Sequence, residues 1–215
     1  VGGCAAACVE AGCALLGGET AEMPGVYADG EFDLVGTMVG VVDRDAIIDG
    51  SRIEPGDVVL GIESSGLHTN GFSLARRVLA GRSWDEFCPE LGKTLGDALL
   101  TPHRSYLPDV RALWAMGVDV KGLAHITGGG LIDNPPRILP EGVNLQLHLD
   151  AWPASPLFEL LQRAGSIKVE EMAHVFNLGL GMLAIVPSSQ ADRALCALKS
   201  QAWRVGEIMA GSGAA

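Results

Sequence analysis

Aromatic residues are scarce in this chain, with 4 Trp, 2 Tyr and 5 Phe among 215 positions. The four tryptophans therefore read as packing residues, not as a stacking platform for bases. Positive charge is also short: 15 Lys and Arg stand against 26 Asp and Glu, a formal net charge of −11. No dense Lys/Arg stripe offsets that balance, which argues against nucleic acid as a partner. An anionic small molecule would have to be held by local donors and not by the overall field. No apolar run approaches the ~20 residues of a membrane-spanning helix, and no signal-peptide pattern opens the chain. The expected setting is cytoplasmic, with no membrane as partner. Five cysteines, an odd number, point to reduced thiols. Cys4, Cys8 and Cys13 lie among alanines and read as small packing residues of a helix, with no fourth ligand nearby for zinc.

Glycine, by contrast, is plentiful, and its placement carries the functional argument. Three glycine-rich polar loops each follow an apolar run. Ala14-Leu15-Leu16 leads into GGETAEMPG (17–25), residues 58–62 lead into ESSGLHTNG (63–71), and Gly122–Ile126 leads into TGGG (127–130). The second and third open onto helical patterns. A strand, a glycine loop and a helix start together aim free backbone N–H groups at an anion. One such loop is weak; three bearing hydroxyl, amide, imidazole and carboxylate groups point to a phosphorylated ligand.

The organisation divides near residue 50. Residues 1–50 read as a small-residue helix, a strand before Gly17 and a Val/Gly-rich strand over 32–42. The apolar set of 34–42 is too continuous for a strand with one wet face and should be covered on both. Residues 51–215 alternate strands (58–63, 122–126, 143–149, 178–186, 202–208) with helices (72–80, 104–116, 129–138, 155–164, 189–200). The expected fold is α/β with a mixed sheet.

Together the strings GGETAEMPG (17–25), GVVDRDAIIDG (40–50), SSGLHTNGFSL (64–74), HITGGGLIDNPPRILP (125–140) and VFNLGLGM (175–182) resemble the phosphoribosylformylglycinamidine cyclo-ligase family, also called aminoimidazole ribonucleotide synthetase. They occur in family order over nearly the whole chain. The resemblance implies the C-terminal portion of such an enzyme. Residues 1–50 would be the remnant of an N-terminal ATP-binding and dimerisation α/β domain, and 51–215 the mixed-sheet C-terminal α/β domain. It further implies ATP-dependent cyclisation of formylglycinamidine ribonucleotide to aminoimidazole ribonucleotide, with release of ADP and phosphate. ATP, Mg2+ and a homodimer come with that reading. Two rivals stay open: another ATP-dependent enzyme of the superfamily, such as formylglycinamidine synthetase, and a non-catalytic module that binds ribotide phosphate or dimerises.

Within this frame Glu19 is the expected metal-binding and catalytic carboxylate, with Gly17, Gly18 and Thr20 beside the nucleotide. His68 is the expected proton carrier, and a loop-surface residue otherwise. Asn70 offers donor and acceptor to an amide-like substrate, or caps the following helix. Ser64 and Ser65 are candidate phosphate contacts. Thr127, Gly128, Gly129 and Gly130 resemble a cradle for the ribose phosphate. His125 reads as a satisfied core histidine, His103 as a cap or surface residue, and His148 as surface.

Overall fold

The computed structural model describes residues 1–211 and divides into two compact units, Val1–Ile47 and Ile48 onward. In the first, α1 (Gly2–Ala11) is built mostly from glycine, alanine and cysteine and ends at Gly12, whose φ of 70° places it in the left-handed region. Nothing in 1–47 is buried. The strands expected before Gly17 and over 32–42 are not formed, because a strand needs a neighbour for its N–H and C=O groups and none of the described residues supplies one. Leu34, Val35, Met38, Val39 and Val41 are all at least 82% exposed. The three N-terminal cysteines are free; Cys4 and Cys13 are exposed and Cys8 half-buried, so they do not pack as expected.

The second unit contains, in chain order, β1 (Val58–Glu63), α2 (Phe72–Val78), β2 (Phe87–Cys88), β3 (Lys93–Thr94), α3 (Leu95–Leu99), α4 (Leu107–Ala115) and β4 (Gly122–His125). Then come α5 (Gly130–Asp133), β5 (Val143–Leu147), α6 (Pro156–Gly165), α7 (Val169–Val175), β6 (Leu180–Val186), α8 (Ala191–Ala197) and β7 (Ala202–Ala210). The five long strands lie where the sequence placed them and form one sheet in the order β4-β6-β1-β7-β5. The α/β organisation holds, while the sheet differs from a mixed one in that every neighbouring pair is antiparallel. β2 and β3, two residues each, form a separate antiparallel hairpin. No helix among the described residues is long and apolar enough to cross a membrane.

The sheet is covered on both faces, which explains the nearly continuous apolar runs of β1 and β6. On one face Leu60, Ala184 and Val186 pack with Leu113 of α4 and Ala191, Ala194 and Ala197 of α8. On the other, Val59, Leu183, Ile185, Val205 and Ile208 pack with Leu131 and Trp152. A further core joins α2, α3, α6 and α7 through Leu74, Leu79, Leu95, Leu161, Met172 and Phe176. The start of β4 is tied to the turn before β1 by Lys121, whose buried Nζ donates to Asp57 at 2.8 Å and to Glu54 at 2.7 Å.

This topology gathers particular loops. β1 and β4 both run antiparallel to β6, which lies between them, so both end where β6 begins. Glu63 stands opposite Leu180, and His125 opposite Met182. The loops after β1, after β4 and before β6 therefore meet at one edge of the sheet.

Candidate functional site

The loop after β1 is built into the fold by its hydroxyls. The Ser64 N–H donates to the Gly179 carbonyl at 2.8 Å and its Oγ to Asn177 Oδ1 at 2.9 Å, while Ser65 Oγ donates to the Pro102 carbonyl at 2.7 Å. Buried Asn177 also accepts from the Gly179 N–H and donates to the Gly66 carbonyl, clipping this loop to the entry of β6. His68 has a φ of 60° and is only 4% exposed. The Ser65 N–H donates to its Nε2 at 3.1 Å. The ring proton therefore sits on Nδ1, which is buried and makes no hydrogen bond. Burial first, then the neighbouring His103, His125 and Arg104, lower the His68 pKa to about 3. The ring is neutral near pH 7. At Gly71 (φ 81°) a β-carbon would stand 2.5 Å from the Phe176 ring, so glycine is required there.

The loop after β4 is shaped by one buried amide. Asn134 accepts from Thr127 Oγ1 at 2.8 Å and donates to the carbonyl of Gly130 at 2.8 Å, with longer bonds to those of Thr127 and Gly128. A β-carbon on Gly130 would lie 2.0 Å from the Ala173 carbonyl oxygen. The N–H groups of Gly128 and Gly129 make no hydrogen bond among the described residues. The two loops touch here: a β-carbon on Gly128 would come 3.6 Å from Asn70 Oδ1. Asn70 does not cap α2, whose N-cap is Gly71 without a side-chain bond.

Between the loops stands a cluster of imidazoles. His103, in the segment preceding α4, stacks on His68 with ring centroids 3.9 Å apart and planes 12° apart. Its Nε2 lies 3.3 Å from Nε2 of His125 at the end of β4. Tyr106 Oη donates to the Glu63 carbonyl at 2.9 Å, and Arg104 donates to the Glu63 carboxylate at 2.8 Å and to Ser200 Oγ. Buried Asp109 in turn accepts from the N–H groups of Lys199 and Ser200. Burial lowers the pKa of His103 and of His125, the His103 value being lowered further by His125. His125 is thus an exposed member of the cluster, not a core histidine, and His103 is a stacked one, not a cap. His148 is exposed, as expected. Neither His103 nor Tyr106 carried a sequence signal; only the position of His125 beside TGGG did.

Gly17, Gly18, Glu19 and Thr20 lie on an exposed, irregular segment of the first unit. The side chains of Glu19 and Thr20 make no hydrogen bond or ion pair among the described residues. A groove of about 1000 Å³ lies elsewhere, between the Leu131–Gly142 segment and β5, and none of the expected site residues lines it.

Solved structures share the fold. Thiamine-monophosphate kinase from Stenotrophomonas maltophilia K279a matches with a TM-score of 0.56 and 19% identity, over 80% of this chain and 54% of its own. Hydrogenase maturation protein HypE in complex with ATP matches with a TM-score of 0.54 and 21% identity, over 77% and 46%. The α/β architecture is thus one recurring among such proteins. The particular family is given by residues 54–215, which match the AIR synthase related protein, C-terminal domain, and the chain belongs to that family. Similar along nearly all of this chain are the phosphoribosylformylglycinamidine cyclo-ligases of Sorangium cellulosum (strain So ce56), 52% identical over 97% of this chain and 62% of the relative, and of Myxococcus xanthus (strain DK1622), 51% identical over 100% and 64%. The chain spans about three-fifths of the length of the curated relatives it matches.

Proposed function

We propose that this chain is the ribotide-binding portion of a cyclo-ligase that closes formylglycinamidine ribonucleotide to aminoimidazole ribonucleotide, consuming ATP and releasing ADP and phosphate. The observation that carries this reading is the meeting of the Ser64–Gly71 and Thr127–Gly130 loops at one sheet edge, in a chain about half identical to named cyclo-ligases. In that reaction an amide oxygen is phosphorylated and then displaced as phosphate by an amidine nitrogen. The protein must position both phosphorylated molecules and move protons.

The roles follow from what each group has free. The unpaired N–H groups of Gly128 and Gly129 suit the ribose phosphate, with Thr127 and Gly130 holding the loop's shape. Asn70, beside Gly128, suits the amide-like part of the substrate. The hydroxyl protons of Ser64 and Ser65 are engaged within the fold, so these residues shape the loop. Neutral, buried His68 holds the imidazole cluster in place, and proton transfer falls to His125 and His103, which reach solvent. Glu19 is the metal-binding carboxylate in this reading, with Gly17, Gly18 and Thr20 at the nucleotide. An unpartnered carboxylate fits the oxygen preference of Mg2+. When bound there, Mg2+ neutralises phosphate charge. The whole protein is read as a cytoplasmic homodimer.

The test is product mass after incubation with ATP, Mg2+ and formylglycinamidine ribonucleotide, for this chain and for one extended to the length of its relatives. Aminoimidazole ribonucleotide from the extended chain is the expected result, and Glu19→Ala in that chain should lower turnover while leaving its melting temperature unchanged. Ribotide binding without ADP formation in the extended chain would assign a non-catalytic module. ADP with a different product would assign another enzyme of the superfamily.

A further inference from the structure

We propose that His103 and His125 form a chelating pair for a borderline divalent transition cation of the zinc, nickel or copper class. Their Nε2 atoms face each other at 3.3 Å. Two nitrogens each about 2.0–2.1 Å from a tetrahedral cation stand about 3.3 Å apart, so the pair already has the required bite. Cation binding needs both Nε2 lone pairs. The ring now donating across the pair moves its proton to Nδ1, with no net change in protons bound.

The surroundings favour this chemistry. His103 is held by its stack on His68, at 3.9 Å between centroids, and His68 is held by the Ser65 N–H. Arg104 and Tyr106 fasten the same segment to Glu63, so the pair is ordered by outer contacts as metal ligands are. All three imidazoles offer nitrogens within 4.8 Å of one another. His68 supports the site and is not a ligand, because its Nε2 already accepts from Ser65 and its Nδ1 is buried. The metal-capable group found among the described residues is made of imidazoles alone, and the nearby Glu63 carboxylate is engaged by Arg104. Imidazole donors without carboxylates select against Mg2+ and Ca2+, so this site is separate in kind from the magnesium assigned to Glu19. Water completes the coordination, since His125 is exposed.

A bound cation occupies the Nε2 lone pairs that proton transfer by this pair would use, so the two states exclude each other, and the inference is tested without substrate. Exposed Cys4, Cys13 and Cys196 are first alkylated with iodoacetamide so that thiolates do not compete. Zn2+ uptake is then measured by calorimetry, and Cu2+ by electron paramagnetic resonance, which reports bound nitrogens. One cation per chain with two nitrogen ligands is expected. His103→Gln and His125→Gln should each lose one nitrogen and weaken uptake about 10–100-fold or more, the loss seen when even an outer partner is removed. His148→Gln and His174→Gln should change nothing. Absence of uptake by the parent chain overturns the proposal, as does uptake that survives both substitutions or follows His148 or His174. Circular dichroism checks each variant's fold; should His103→Gln unfold, the exposed His125→Gln decides alone.

Discussion

One amide side chain, that of Asn134, holds the glycine loop after β4 in shape. It is 4% exposed and bonds both to the Thr127 hydroxyl and to loop carbonyls. Asn134→Ala should cost about 1–3 kcal/mol, since the loop's partners are left unmade, and urea unfolding measures it. His68 gives the protein an acid sensitivity. Its folded pKa is lowered from 6.5 to about 3, so its contribution to stability is complete above 6.5. As the pH falls from there toward 3, the unfolded chain takes up the proton first and stability is lost, by up to about 1.4 kcal/mol per pH unit. His68→Gln should therefore lose less stability than the parent chain between about pH 7 and about pH 5 in urea titrations. At this scale the sequence located residues but not their company. His68 stood out because it lies inside a glycine loop, whereas His103 looked like an ordinary residue after a proline. Its stack on His68 depends on how the segment before α4 returns to the end of β1, which no local pattern encodes.

Elements of the second unit were legible where burial is periodic. α6 buries Leu157, Phe158, Leu160 and Leu161 on one stripe, with Pro156 at its first turn, and both features stand in the sequence. α7 was not expected, because its seven residues bury only Met172 and Ala173, too few to set a period. The start of β4 rests on a feature that patterning hides. Lys121 and Asp57 are both buried and paired, with side chains 7% and 4% exposed. Lys121→Met would leave Asp57 as an uncompensated buried charge and should cost about 3–5 kcal/mol, detectable as a lowered urea midpoint with an unchanged slope.

Across the whole molecule, the 32–42 segment is the largest departure from expectation. Its apolar run reads as a strand covered on both faces, yet its side chains stand in solvent. Under the homodimer reading this is surface that a second copy would cover. The chain should then sediment as a concentration-dependent dimer, and Val39→Glu with Val41→Lys should shift it to monomer. Sedimentation unchanged by that pair of substitutions would remove the segment from the interface.

By itself the sequence determined which stretches of residues 58–210 become strands, and that glycine loops follow β1 and β4. Both are consequences of local hydrophobic pattern and of backbone freedom at glycine. It also held the family, in strings too long and too well ordered to arise singly. Only the tertiary structure decided that β6 lies between β1 and β4, and so that their loops meet. Only it brought His103 and His125 face to face, engaged the Ser64 and Ser65 hydroxyls, and left residues 32–42 without a pairing strand. These outcomes depend on contacts between residues far apart in the chain, whose energies come from burial and pairing in three dimensions and leave no mark on the local order of residues.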